Sequence, residues 1–567
     1  MSSEASDATT AGASARAGSR VSTWFREQLR LFFAPEAFSY ILHCSLLLVL
    51  VVLLRPMFMG TIPDAIYEAR NVAWELIGQD VDLIVQGAKR QRPVVPRLLY
   101  LVIPTAIFLL SRRRLRWEDW EHGRALRGFV MTLLIMLAWS GSTADYNIFL
   151  DRLHGSDRLL LVLFTALSWR TPLAVPFATR WAYLMIKAAY VPIPIDDFDF
   201  RPVAEVLVVF SIFVWASFRR TMNTKHFLLV GLGTWASYYY AAGYAKLTYG
   251  PDWSWLLENN VTSLAVGGHV RGWLGFVRED LFIGFIEFAR RFDVGLQAFT
   301  LIVELGALAA FFLHPRLARL WFWLCFLLHF GIYVLSGVFF WKWMIANVAF
   351  YLWLRLGGAP ALEALSRYKL VVLFAMLTVF YSRERIWYWP QTRVVWYDSR
   401  LVEDYDIYAV GVSGERYLVS PGWLTPMETH WVQGRLCYAT TERSLTGIYG
   451  TTGNLNLVKQ LEKLERPEDV LKLYQRARSC NDPKRRKVFD DFMLRYFSNL
   501  NRRGRPHRWL SWLGRPTHLW VQPQGRLYDM QEPVKEIELW RSLIVHHGGA
   551  LHKVEEKRVR QLPIPNN

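Results

Sequence analysis

Cysteine is scarce in this chain, with four among 567 residues. Four thiols build no dense disulfide framework, and no Cys/His run has the spacing of a zinc site. Cys44 and Cys325 lie in apolar runs and read as small hydrophobes. Cys437 and Cys480 lie in the polar C-terminal third, where they can pair if that region faces an oxidising compartment. An apolar leader is missing as well. Residues 1–22 are rich in Ser, Ala and Thr, without the hydrophobic stretch of a signal peptide, and read as a disordered cytoplasmic tail. Acidic charge is in short supply, with 48 Asp and Glu against 66 Lys and Arg, a formal net charge of +18. No nucleic-acid-binding motif accompanies that excess, so the basic residues are assigned to cytoplasmic loops and a nucleic-acid partner is not expected.

Apolar and aromatic side chains are what the chain has in quantity. Hydrophobic residues make up 53 %, with 26 Trp, 25 Tyr and 35 Phe, a load that fits membrane spans flanked by aromatic belts. The expected fold class is a multi-pass α-helical membrane protein of about nine to eleven spans, followed by a soluble α+β domain. Three divisions follow: a tail at 1–22, a transmembrane bundle at 23–381 and the C-terminal domain at 382–567. Spans are expected near 39–56, 96–111, 125–141, 159–177, 203–218, 227–247, 296–313, 320–340, 343–356 and 369–381. Residues 23–34 read as an amphipathic helix on the membrane surface. The segment 178–194 reads as a further span or as a re-entrant or interfacial piece. Basic clusters at Arg112–Arg116, at Arg219, Arg220 and Lys225, and at Arg316 and Arg319 all fall inside if 178–194 spans. The protein then sits in the cell membrane with its N-terminus cytoplasmic. The acidic loop Asp196–Asp199, the Lys246 end of its helix and the C-terminal domain fall outside.

Two long connections interrupt the bundle. The first, 57–95, carries helix-like sequence over 64–86. The second, 249–295, is punctuated by Gly267, Gly268 and Gly272, includes the sequon Asn260-Val261-Thr262, and reads as an amphipathic helix over 278–292. Beyond residue 382, strand-like alternation covers 387–397 and 407–419, and helices are expected at 457–477, 487–497 and 534–546. His546-His547 before Gly548-Gly549 reads as a helix C-terminus. No catalytic signature stands out in this domain.

Ionisable groups inside apolar runs are functional candidates by default. Lys246 closes an apolar run that begins at Phe227, just before Gly250-Pro251. Glu304 lies within Leu301–Leu308, His329 within Trp321–Gly331, and His154 at the head of the run from Leu159. Each also has a structural reading: a lysine snorkelling to headgroups, a carboxyl or imidazole bonding a neighbouring helix, a histidine in a wet loop. Together they place a base, a proton partner and an acid in one apolar bundle.

The stretch Tyr240-Ala241-Ala242-Gly243-Tyr244-Ala245-Lys246-Leu247, followed by Asp252-Trp253, resembles a segment of the vitamin K-dependent gamma-glutamyl carboxylases. Their wider bacterial relatives, the horizontally transferred transmembrane (HTTM) domain proteins, carry it too. Glu304-Leu305-Gly306-Ala307 resembles the family's next span. His329 and the run Trp343–Asn347 resemble its histidine-bearing helix and the one after. His154 is similar to an early histidine. The resemblance covers roughly residues 125–356. It departs from the carboxylases at Ala245, where they carry a second lysine, and in 382–567, where their propeptide- and glutamate-binding region is not recognisable. It therefore implies the membrane core more than glutamate carboxylation. In these carboxylases a desolvated lysine deprotonates a reduced quinone, oxygen adds, and the resulting strong base takes a substrate proton.

Carried over, the resemblance makes Lys246 the base, with Glu304 orienting it and His329 and His154 stabilising charge or relaying protons. Tyr239, Tyr240 and Trp253 become candidate substrate-binding residues, and a reduced, vitamin K-like quinone the implied cofactor. Membrane lipid and a protein or peptide met through 382–567 are the expected partners. Two other classes stand beside this one. One is a non-catalytic scaffold that binds lipid or quinone. The other is a membrane group transferase using His329. The first reading needs Lys246, Glu304 and His329 to converge. A scaffold leaves Lys246 at the headgroups.

Overall fold

The computed structural model describes residues 22–59, 123–143, 155–189, 200–217, 222–357, 367–385, 395–419, 436–503 and 525–565, with isolated positions between 102 and 120. The tail before residue 22, most of the run 96–111, the loop 60–95, His154, the acidic loop 196–199 and strand-like residues 387–394 lie outside the described residues.

A helical segment at 22–32 opens the described chain. The bundle follows as α1 (Pro35–Met59), α2 (Arg124–Thr143), α3 (Gly155–Arg170), α4 (Val175–Ala189), α5 (Arg201–Ala216) and α6 (Thr224–Leu247). The second connection carries α7 (Ser254–Leu257), α8 (Ser263–Val270) and α9 (Glu279–Ala289). The bundle resumes with α10 (Asp293–Leu313), α11 (Pro315–Ser336), α12 (Trp341–Leu356) and α13 (Lys369–Arg385). At its centre, α6 packs on α10, α13, α5 and α1. Every residue of α5 is buried, as expected of a helix that is apolar all round. Glu205 on α5 ties it to α1 through Arg55 at 2.6 Å and takes Arg201 at 3.3 Å.

Local chemistry sets the ends. Asn223 and His226 form a capping box that starts α6. His314 caps α11 with Pro315 at its first position, and Gly337 ends it at φ 75°. The run expected to span 159–177 is instead two helices. Thr171 accepts from the Leu173 N–H and Pro172 opens a short 3-10 turn, which stops α3 at Arg170 and starts α4 at Val175. The ambiguous segment 178–194 thus belongs mostly to α4. Among the described residues, four helical stretches are long and apolar enough to cross a membrane: Pro35–Arg55, Arg124–Thr143, Glu279–Leu313 and Pro315–Ser336.

The C-terminal region contains strands and helices. Strands β1 (Tyr397–Asp398), β2 (Leu401–Gly411), β3 (Arg416–Leu418), β4 (Arg443–Ser444) and β5 (Thr451–Thr452) precede α14 (Leu455–Glu462) and α15 (Val470–Gln475). Then come β6 (Arg478–Ser479), α16 (Pro483–Arg503), β7 (Val534–His547) and β8 (Ala550–Pro563). The main sheet is antiparallel in the order β3-β2-β7-β8. The helix expected at 534–546 is therefore a strand. Gly548 and Gly549, at φ 59° and 77°, form a two-residue hairpin loop between paired His547 and Ala550. Two consecutive left-handed residues suit a turn whose twist matches the strands, so this Gly-Gly ends a strand where a helix cap was expected. The helix expected at 457–477 is interrupted after Glu462, with Pro467 opening a 3-10 turn before α15.

One face of the sheet, with Tyr405, Ile407 and Leu539, shares a core with Phe489, Phe492 and Met493 of α16. The other meets the bundle's second connection, where Val402 packs with Ala265 and Val266 of α8 and Phe282, Ile283 and Ile286 of α9. Arg271 and Asp404 form an ion pair across that junction. Cys437 and Cys480 are disulfide-bonded across 43 residues, a closure that stabilises by roughly 2–4 kcal/mol. The Cys437→Ser/Cys480→Ser variant should unfold at a lower temperature than the oxidised wild type. In a thermal melt with reductant, the two proteins should coincide.

Candidate active site

The candidate site is built on the face of α6 that carries Tyr239, Gly243 and Lys246. Positions i, i+4 and i+7 share one side of a helix, and all three are buried. Gly243 sets the approach of α10. A Cβ there would lie 2.8 Å from the Glu304 Cβ and 3.0 Å from the Leu305 Cγ. The absence of that atom lets α10 close on α6 and delivers Glu304 to Lys246. The Lys246 Nζ donates to both Glu304 oxygens, at 2.7 and 2.8 Å, with the two residues 8 % and 7 % exposed. The lysine is therefore turned inward onto Glu304, while Tyr244 and Thr248 beside it remain exposed.

The second connection roofs the pair. Trp255 of α7 places its ring 5.6 Å from the Lys246 Nζ and donates its indole N–H to the Trp396 carbonyl at 3.0 Å. Trp396 in turn donates to the Asp398 Oδ1 at 3.1 Å. Asn259 clamps β1 twice, donating to the Asp398 Oδ2 at 3.0 Å and accepting from its backbone N–H at 2.7 Å. The Ser254 and Tyr397 hydroxyls meet at 2.6 Å. The C-terminal region is thus a wall of the lysine site.

Two turns deeper along α6, roughly 10 Å, lies a second polar layer. The Trp235 indole donates to the Asn347 Oδ1 at 2.9 Å, and the Asn347 amide donates to the Tyr239 hydroxyl at 2.8 Å. That hydroxyl is 3.4 Å from the His329 Nδ1, which also faces the Cys325 carbonyl at 2.9 Å. A carbonyl only accepts, so Nδ1 carries the imidazole proton and Nε2 is the acceptor nitrogen. The rings of Tyr239, Phe340 and Trp343 surround His329, with centroids at 5.7, 5.2 and 5.4 Å. The Trp343 indole N–H is buried with no hydrogen-bond partner among the described residues. The Trp321 indole, beside Tyr239, donates to the Val303 carbonyl one residue before Glu304, which links the layers.

Of the candidates, Lys246 and Glu304 meet directly, and Tyr239 and His329 meet in the adjoining layer. Tyr240 turns away, stacking on Phe380 at 4.9 Å. Trp253 is 59 % exposed at φ 60°, in the turn that starts α7. Trp255, not Trp253, faces the lysine. Sequence reasoning missed Trp255, Asn259 and Asp398, the last two because their encounter needs 139 residues of intervening chain. A signal for the shared face was available in the seven-residue spacing of Tyr239 and Lys246, with glycine between them. Among the described residues no group of His, Cys, Asp and Glu is arranged to hold a metal. The chain matches no family model, no curated protein and no solved structure.

Burial pushes the Asp398 carboxyl up to about 7. Hydrogen bonds from Asn259 and Trp396 oppose the rise, the Asp293 charge adds to it and the Lys246 charge reduces it. Burial likewise raises Glu403 to about 7, and burial together with the Asp404 charge raises Asp406 to about 7. A carboxyl whose folded pKa exceeds its unfolded value contributes most at low pH. That contribution is lost as pH rises from near 4 to 7 and is constant above. Wild-type melting temperature should therefore fall across that window, and Asp398→Asn should show a shallower fall.

Removing one partner of a buried ion pair strands the other and costs about 3–5 kcal/mol. Lys246→Met alone should lower stability by that order in denaturant titration, and adding Glu304→Leu should recover most of it.

Proposed function

We propose that this is a multi-pass membrane protein of the HTTM and gamma-carboxylase type, in which the Lys246–Glu304 pair is the base in quinol- and oxygen-linked proton abstraction. The observation that carries the reading is the two-point contact of Lys246 with Glu304, enclosed between α6 and α10. A lysine held by a carboxylate rests as an ammonium. Moving one proton across the 2.7 Å contact gives an amine and a carboxylic acid with no change in net charge, so an apolar site tolerates the step. The amine accepts a substrate proton and becomes the ammonium again, and the pair resets when Glu304 gives the proton it holds to the reduced oxygen or to water. Tyr239, Asn347 and His329 would take or settle charge one layer deeper.

The aromatic walls round His329 and the buried Trp343 indole N–H fit a planar, lipid-soluble ring bearing an oxygen acceptor. Such a quinol supplies an acidic hydroxyl and the electrons that oxygen takes up. Lys246, His329 and Trp343 are the residues that would hold it.

Among the described residues, four helical stretches long and apolar enough to cross a membrane and the shorter apolar helix Lys369–Tyr381 support a cell-membrane location. The Cys437–Cys480 disulfide supports placing the C-terminal region on the oxidising, extracytoplasmic side, with the N-terminus cytoplasmic. In that position the C-terminal region is the part that would meet a protein or peptide partner. A non-catalytic lipid- or quinone-binding scaffold is the second reading, favoured by the separation of Lys246 and His329 into different layers.

Purified protein given reduced quinone and oxygen should form quinone or epoxide, and Lys246→Ala should lose roughly 100-fold or more of that turnover. Equal turnover in the variant sinks the base assignment. No turnover in folded wild type leaves the scaffold.

A further inference from the structure

The apolar stretch Glu279–Leu313 is 35 residues long, which as one straight helix would measure about 52 Å. A bilayer's hydrocarbon core is about 30 Å thick, and the 21 residues of α10 already fill it. The chain resolves the excess with a 3-10 turn at Arg290–Phe292 that separates α9 from α10. The eleven residues of α9 are thus apolar helix left over at the Lys246 end of the bundle.

That helix is apolar on two sides. Phe282, Ile283 and Ile286 pack under the C-terminal sheet with Val402. On the other side Leu281, Phe285, Phe288 and Phe292 form one stripe, 52–62 % exposed, and Phe276 just ahead of the helix is 81 % exposed. The stripe continues into the exposed flank of α10 at Val294 and Ile302. Two of the three carboxylates of α9 face the C-terminal region: Glu279 accepts from the Leu551 N–H, and Glu287 meets His546 at 3.3 Å. Asp280 is held by the exposed Arg278 beside it. Arg291 stands exposed at the C-terminal end, where a long cationic side chain reaches headgroup phosphates while its stem stays apolar.

We propose that α9 lies in the plane of the membrane interface as the foot of the C-terminal region, with the Leu281–Phe285–Phe288–Phe292 stripe seated among lipid chains and the sheet held on its opposite face. The occupant is the bilayer itself, because large exposed apolar side chains carry on past Phe292 onto α10 at Val294, Leu296 and Ile302. The inference rests on the membrane reading of α10 and goes beyond it. It fixes the C-terminal region against the lipid surface and keeps the roof over Lys246 at headgroup level.

The test uses full-length protein in phospholipid vesicles, carrying one added cysteine for a fluorophore. Cys44 and Cys325 are buried and the other two cysteines are bonded to each other, so the added thiol is the accessible one. Phe285→Cys and Phe288→Cys should each lose more than about half of their emission to lipids bearing a nitroxide near the headgroup, and resist aqueous iodide. Ile302→Cys should be quenched by a nitroxide deep in the chains, and Val412→Cys, 58 % exposed on the C-terminal region, by iodide alone. If Phe285→Cys and Phe288→Cys follow Val412→Cys while Ile302→Cys is quenched by lipid, the foot is refuted and the membrane reading stands. If Ile302→Cys is not quenched by lipid, the membrane reading fails and the foot falls with it.

Discussion

The contact between Lys246 and Glu304 is the constraint around which the bundle is arranged. Two opposite charges taken out of water must be placed within hydrogen-bond range of each other, or the fold bears the cost of an uncompensated ion. That requirement explains Gly243, because any side chain there would hold α10 away from α6. It also accounts for the position of Trp255, whose ring shields the ammonium where the helix ends. From there the constraint spreads outward through Trp396 and Asp398 to Asn259. The C-terminal region is docked by the same residues that enclose the pair.

The polar groups are layered along α6. The outer layer holds a pair of formal charges in two-point contact. The inner layer holds an indole, an amide, a phenol and an imidazole in sequence. A buried ion pair is a poor source of stability compared with well-packed hydrophobic residues.

The junction between bundle and sheet follows a different logic. Its contacts are a small apolar cluster, the Arg271–Asp404 ion pair and hydrogen bonds between loops. Asp398 and Asp406 sit there with raised pKa values because burial disfavours their charged forms. The same helix that carries part of this junction presents its other apolar side outward. Sheet, α9 and lipid would then form three successive layers.

Composition and apolar runs were enough to predict a helical bundle with a polar, mixed C-terminal region, since long apolar segments are a local property of the chain. Lys246, Glu304 and His329 were legible for the same reason: a charge in an apolar run stands out against its neighbours. Elements whose identity depends on distant partners were not legible. Residues 534–546 carry charge and apolar residues in a spacing that suits a helix, yet pairing with β2 and the Gly548-Gly549 loop make them a strand. Trp255 and Asp398 have no local mark of function. Only packing between distant parts of the chain sets Trp255 over the lysine with its indole on the Trp396 carbonyl and joins Asn259 to Asp398, and that choice belongs to the tertiary structure because it is made by contacts that no window of sequence contains.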